Sequence, residues 1–148
     1  MSFHHLLVPT DGSELSCQAV AKAVELAGAI GARLTLFHVQ ANFPISLVGA
    51  GELVDPHTVD ILVRAARTRA EQILAEAAAI AEAAAVPWES EIAVQALPHA
   101  AILEAAKRLG ADLIVMASHG RRGLEGVLLG SETQRVLSHS PCPVLVVR

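Results

Sequence analysis

Aromatic side chains are nearly missing from this chain. Its 148 residues include Phe3, Phe37, Phe43 and Trp88 but no tyrosine. The core must therefore be built from Val, Leu, Ile and Ala, and the stacking platforms that hold single-stranded nucleic acid are absent. A basic excess is missing too. The formal net charge of −4 leaves no electrostatic footprint for a general nucleic-acid binder, so nucleic acid is not an expected partner. Cysteine is scarce: Cys17 and Cys142 lie far apart, the pattern of buried thiols in a reducing compartment. Long apolar runs are lacking. The most apolar stretch, Ile73 to Val86, is interrupted by Glu76 and Glu82, and no window reaches about 18 uncharged apolar residues, so no membrane span is expected. Met1 to Val8 shows no basic stretch leading into an apolar run, so no export signal is read and a cytoplasmic location is expected.

What is present is a well-ordered alternation. Hydrophobic residues make up 53% and charged residues 18%, a globular balance. His5 to Pro9 reads as a first buried strand. Leu15, Ala19, Ala23, Leu26, Ala27 and Ile30 then recur at helical spacing, with Ser13 to cap the start and Gly31 to end it. Leu34 to Val39 is a second strand. Near-continuous apolar strands suit a parallel sheet covered on both faces. Ala41 to Val54 carries Pro44, Gly49 and Gly51 without a clear period and reads as a long loop. Asp55-Pro56 opens an Ala-rich helix running to about Ala85. Trp88 to Gln95 alternates and is more polar, the mark of an edge strand. Pro98 opens a helix ending at Leu109-Gly110, Leu113 to Met116 is a fourth strand, a last helix starts near Ser131, and Val144 to Val147 is a fifth strand. Alternating β and α elements without an obvious linker predict one α/β domain over 1–148, an open doubly wound parallel sheet.

In such sheets ligands bind outside the C-terminal ends of the strands, where strand order reverses. The loops leaving strands one, two and four are therefore the candidate sites. The last reads ASHGRRGLEGVLLGSETQ, Ala117 to Gln134. Its glycines let backbone N–H groups approach an anion, and Gly130-Ser131 falls at a helix N-terminus, which favours negative charge. Ser131 and Thr133 add hydroxyls, and Arg121 and Arg122 add charge or a neutral rim. A purely structural reading stands beside this one: Ser131 to Gln134 is also a Ser-x-x-Gln capping box, which would use the Ser131 hydroxyl on its own helix. The segment is neither a Walker A loop nor G-x-G-x-x-G.

Ser118-His119-Gly120, nine residues to Leu129, and Gly130-Ser131 resemble the universal stress protein family, whose nucleotide-binding pattern is Gly-x2-Gly-x9-Gly-Ser/Thr. The opening Val8-Pro9-Thr10-Asp11-Gly12-Ser13 and the closing Pro141-Cys142-Pro143-Val144-Leu145-Val146-Val147 also match, in the right order, so the resemblance covers essentially the whole chain. It implies a five-stranded Rossmann-like sheet of order 3-2-1-4-5, a homodimer through the last strand Val144–Arg148 and, in one branch of the family, ATP at the switch point. Carried over residue by residue, it implies Pro9, Thr10 and Asp11 near phosphates and ribose and Val39 by the adenine. It further implies Ala117, Ser118, His119, Gly120, Arg121, Arg122 and Gly123 around phosphates and ribose, and Gly130, Ser131, Glu132 and Thr133 at the final helix start.

The sequence departs from the pattern at Ala117, where the family has its first glycine. Alanine costs little there if φ is negative, and about 1 kcal/mol or more if φ must be positive. A second departure is Ala96-Leu97-Pro98, where relatives often carry glycine. Asp11 beside an anion would be reconciled by Mg²⁺ accompanying the nucleotide; equally, it makes an Asx turn and caps the next helix. His119 either donates to a phosphate or faces solvent. The remaining histidines show no ligand spacing for structural zinc. Three readings follow: a dimeric ATP-binding stress-response module, a dimeric interaction protein without nucleotide whose glycine loop is only a turn, and a small nucleotide hydrolase. For the last, no base to orient water and no arginine finger beyond Arg121 or Arg122 is visible.

Overall fold

Strands and helices alternate from one end of the chain to the other in the computed structural model, which describes residues 2–42, 55–120 and 128–148. The expected loop is thus outside the described residues from 43 to 54, as are Arg121, Arg122 and Gly123. The elements are β1 (His5–Pro9), α1 (Glu14–Ile30), β2 (Arg33–Gln40), α2 (Pro56–Ala83), β3 (Trp88–Val94), α3 (Pro98–Leu109), β4 (Leu113–Ala117), α4 (Ser131–His139) and β5 (Val144–Val147). Local chemistry sets several boundaries. The Ser13 side chain accepts from the Ser16 N–H to start α1, and Asp55 accepts from the His57 N–H beside Pro56 to start α2. α1 and α3 end at Gly31 and Gly110, both in the left-handed region.

All pairings are parallel, in the order β3-β2-β1-β4-β5. Alternating side chains of the central strands feed two cores. Leu6, Val8, Leu34, Leu36, Leu113 and Val115 pack against α1 and α2; Leu7, Phe37, Ile114 and Met116 pack against α3 and α4. Each fully buried Leu or Phe contributes about 2 kcal/mol, so the buried positions of the central strands supply much of the core's stability. β3, at an edge, has no fully buried residue: Glu89, Ser90 and Val94 are exposed and the rest are half-buried.

Pro9 leaves one ladder of this sheet short of a donor. Arg33 donates to the His4 carbonyl and Thr10 donates to the Phe37 carbonyl, so even-numbered residues of β1 face β2 and odd-numbered ones face β4. Pro9 faces β4 and has no N–H to give. The β1–β4 register ends at Leu7–Ile114, whereas β1–β2 continues to Pro9–Phe37 and β4–β5 to Ala117–Val147. Beyond that point the chain leaves β1 for α1 on one face and leaves β4 for α4 on the other. The gap lies at the C-terminal edge of the sheet, where ligands of this architecture sit.

Candidate functional site

A cleft of about 550 Å³ occupies this gap and extends along the sheet edge to the end of β3. Of the residues singled out in the sequence, Pro9, Thr10, Asp11, Val39, Ala117, His119, Gly120, Gly130, Ser131, Glu132 and Thr133 line it. Ser118 does not. It is buried behind the wall, where its carbonyl accepts the Gly130 N–H at 2.7 Å and its own N–H donates to Val147 at 2.8 Å.

The loop after β1 is held by short-range bonds. Asp11 Oδ1 accepts the Ser13 N–H at 2.9 Å, the expected Asx turn. Thr10 Oγ1 lies 3.0 Å from Ser16 Oγ and accepts the Gly12 N–H at 3.3 Å. The Thr10 carbonyl is 2.8 Å from His38 Nδ1. A carbonyl only accepts, so His38 carries a proton on Nδ1.

Across the gap, two glycines are set by close approach. A Cβ at Gly120 would overlap Asp11 Oδ2, and one at Gly130 would sit 3.2 Å from the His119 Cα. The loops after β1 and β4 therefore meet backbone against carboxylate. Ala117, the departure from the family pattern, is the last residue of β4 and pairs with Val147; the only non-glycine residue with positive φ among those described is Ala85. Its alanine carries no strain. Its carbonyl accepts Thr133 Oγ1 at 3.0 Å, tying the first turn of α4 to the strand end.

The capping-box reading of Ser131 is corrected. Gly130, not Ser131, is the N-cap of α4; it is extended (φ −69°, ψ 159°) and makes no side-chain cap. The bond from Gly130 N–H to Ser118 holds that residue in place, and the helix starts at Ser131, one residue earlier than a Ser131 cap would allow. Gln134, the other half of the expected box, donates instead to the Leu129 carbonyl at 3.0 Å. The exposed Ser131 hydroxyl is thus not spent on its own helix, and the first turn of α4 opens toward the cleft.

Glu132 works across helices. Its Oε2 accepts the His99 N–H at 2.7 Å and lies 2.9 Å from His99 Nδ1, while Arg135 holds Oε1 at 2.9 Å. α3 has no side-chain cap of its own at Leu97, and Glu132 supplies one from α4. Burial pushes the Glu132 carboxyl up, but the bonds from His99 and Arg135 outweigh it and hold the pKa below its usual value.

Two further expectations change. The thiols of Cys17 and Cys142 are half-buried rather than buried. Burial raises both pKa values, most strongly among the causes, which keeps them protonated. His119 stands on the cleft wall, half-buried, 3.2 Å from Ser118 Oγ. Sequence reasoning missed His38, Gln95, Leu97, Ile102 and Met116, which also line the cleft. The signal was available in part: β3 ends beside β2, so the loop at Gln95 belongs to the same sheet edge as Val39. Among the described residues, no group of three or more His, Cys, Asp or Glu could hold a metal ion, and no helix is long and apolar enough to cross a membrane.

With this geometry in view, comparison with known proteins is informative. The universal stress protein family model matches residues 2–148. A universal stress protein of Thermus aquaticus is 38% identical over 146 residues, covering 99% of both chains. One from Bacillus subtilis is 35% identical over 148 residues, again 99% of each. Among solved structures, universal stress protein UspA from Lactobacillus plantarum superposes with a TM-score of 0.81 at 27% identity, covering 100% of this chain and 99% of that one. A universal stress protein crystallised in complex with cAMP gives 0.70 at 31% identity, covering 100% and 98%. The chain, with its sheet order and its glycine-bounded cleft, belongs to the universal stress protein family.

Proposed function

We propose that this chain is a stress-response module that binds ATP, accompanied by Mg²⁺, in the cleft at the sheet's switch point. The observation that carries the reading is the start of α4. Its first turn has no side-chain cap, opens on a 550 Å³ cleft, and is held there by the Gly130–Ser118 bond. Such a helix end, flanked by glycine backbone, attracts phosphate through unpaired N–H groups and the helix dipole. The related structure with cAMP supports an adenine nucleotide in this fold.

In this reading, Gly120, Gly130, Ser131 and Thr133 surround the phosphates, with Ser118 and His119 shaping the wall; Arg121, Arg122 and Gly123, outside the described residues, are further nucleotide contacts by the family pattern. Pro9, Thr10 and Val39 border the ribose and base. Asp11 lines the cleft and fits an accompanying Mg²⁺, whose charge would offset a triphosphate beside a carboxylate. The ion would rely on phosphate oxygens for most of its ligands, since the described residues offer no metal cluster.

The proposal includes a single domain over 1–148, a cytoplasmic setting, and a homodimer through Val144–Arg148. β5 pairs with β4 on one side, and half-exposed Leu145 lies on this apolar edge strand. Pairing with a second copy around a two-fold axis would cover it. Calorimetry with Mg-ATP, ADP, AMP and cAMP, together with identification of nucleotide released on denaturing the purified protein, tests the reading. Binding heat and a thermal shift are expected; neither heat nor shift at about 1 mM ATP, a loose limit of roughly 4 kcal/mol, overturns it.

A further inference from the structure

The cleft has two chemically different ends. One is polar, built by Asp11, Gly120 and the start of α4. The other lies where β2 and β3 end and is lined by Val39, Ala41, Ala96 and Leu97, all apolar. An anionic ligand with a planar base would place its charge at the first end and its base at the second. A polar side chain at the apolar end would then decide which base enters, because an apolar wall discriminates weakly between isosteres.

Gln95 is such a side chain. It lines the cleft just past the end of β3, and its N–H donates to the Gln40 carbonyl at 3.2 Å, which fixes its backbone against the end of β2. Its side-chain orientation is set chemically. Nε2 lies 3.3 Å from Glu104 Oε2 on α3. A carboxylate only accepts, so the NH₂ group must face Glu104 and the carbonyl oxygen Oε1 must face away from it.

We infer that Gln95 Oε1, held in this orientation by Glu104, is a base-discriminating acceptor of the cleft, selecting a 6-amino purine over a 6-oxo purine. An amino group donates to Oε1; a keto oxygen at the same place would set acceptor against acceptor. The inference rests on the nucleotide reading above and adds to it the group that chooses the base.

The test is equilibrium binding of ATP, ITP and GTP to the full chain and to three variants. Wild type is expected to favour ATP over ITP by about tenfold or more, the size of one hydrogen bond made or opposed. Gln95→Leu should bring ATP and ITP to within about threefold, with ATP affinity falling less than the preference does. Gln95→Glu sets a carboxylate against Glu104, which cannot hold it in this place, and should narrow the gap. Glu104→Ala leaves Gln95 in place but frees its amide to turn over, and should narrow the gap. An ATP-to-ITP ratio unchanged in Gln95→Leu overturns this inference while leaving nucleotide binding intact. No binding of any of the three by wild type overturns the nucleotide reading and this inference with it.

Discussion

Gly120 and Asp11 occupy the same small space: a Cβ on the glycine would overlap the aspartate's Oδ2. Two loops from different strands meet there, beyond the end of the β1–β4 pairing. Gly120→Ala should therefore push the loops apart, lowering nucleotide affinity at least tenfold by calorimetry and lowering the melting temperature. Because the obstacle is the carboxylate, Asp11→Ala should lessen the structural cost of Gly120→Ala. A double-mutant cycle on thermal stability is expected to show coupling of about 1 kcal/mol; additive effects would contradict the contact.

Ser131 and Thr133 carry hydroxyls two residues apart with opposite duties. Thr133 is buried and bonds the Ala117 carbonyl. Ser131 is exposed and makes no cap. Thr133→Val should cost about 1 kcal/mol in urea denaturation, the worth of a buried hydrogen bond. Ser131→Ala should leave stability within about 0.5 kcal/mol while weakening ATP binding. A stability loss in Ser131→Ala as large as that of a removed cap would restore the capping-box reading.

Glu132 joins α4 to the start of α3. Glu132→Ala is expected to loosen both helix ends and lower stability by about 1 kcal/mol or more. Glu132→Gln keeps an acceptor for the His99 N–H and should cost less. Amide exchange at His99 reports the contact directly and should quicken in the alanine variant.

Acid should weaken the fold in two stages. His5 is buried at the N-terminal end of the sheet, 2.7 Å from Thr35 Oγ1 and 3.3 Å from Arg33 Nη2. Arg33 only donates, so Nδ1 accepts and Nε2–H donates to Thr35. Burial, first, and Arg33, second, lower the His5 pKa from 6.5; the Leu109 backbone, Asp112 and Glu89 oppose them. Above about pH 6.5 the ring is neutral in both folded and unfolded chains and adds nothing to pH dependence. As pH falls through 6.5 the unfolded chain takes up a proton that the folded chain resists, so stability drops. Glu132 and Asp112 act lower. Burial raises both carboxyls, but hydrogen bonds outweigh it, from His99 and Arg135 for Glu132 and from the His4 and His5 N–H groups for Asp112. Their contribution is present above their ordinary values of 4.5 and 3.8 and is lost as pH falls through the lowered folded values. The urea midpoint should fall between about pH 7.5 and 5.5, and His5→Gln should flatten that first decline.

The β5 edge supplies the last prediction. Leu145 is 42% exposed on a strand with one paired side. Leu145→Lys should disrupt a dimer built on that edge with little loss of monomer stability, as charge on an edge strand opposes pairing. Deleting Val144 to Arg148 should give monomers or aggregates. An unchanged dimer by light scattering in both variants would contradict the proposed interface.

The sequence by itself determined the elements and their order. Strands of unbroken Leu, Ile and Val had to lie inside a covered parallel sheet, Ser13, Pro56 and Pro98 had to start helices, and the polar alternation of Trp88 to Val94 had to sit at an edge. Each follows from side-chain and backbone chemistry acting over a few residues. The spacing from Gly120 to Gly130-Ser131 likewise marked the place of the cleft. Tertiary structure alone decided what those residues do. Whether Ala117 was tolerable depended on φ, which its place in β4 settles. Whether Ser131 capped its helix depended on Ser118, which pulls Gly130 into the cap position instead. Glu132 serves a helix that begins 34 residues earlier, and Gln95 reaches the cleft because β3 lies beside β2. These are contacts between segments distant along the chain, and local propensity carries no record of which distant partner will arrive.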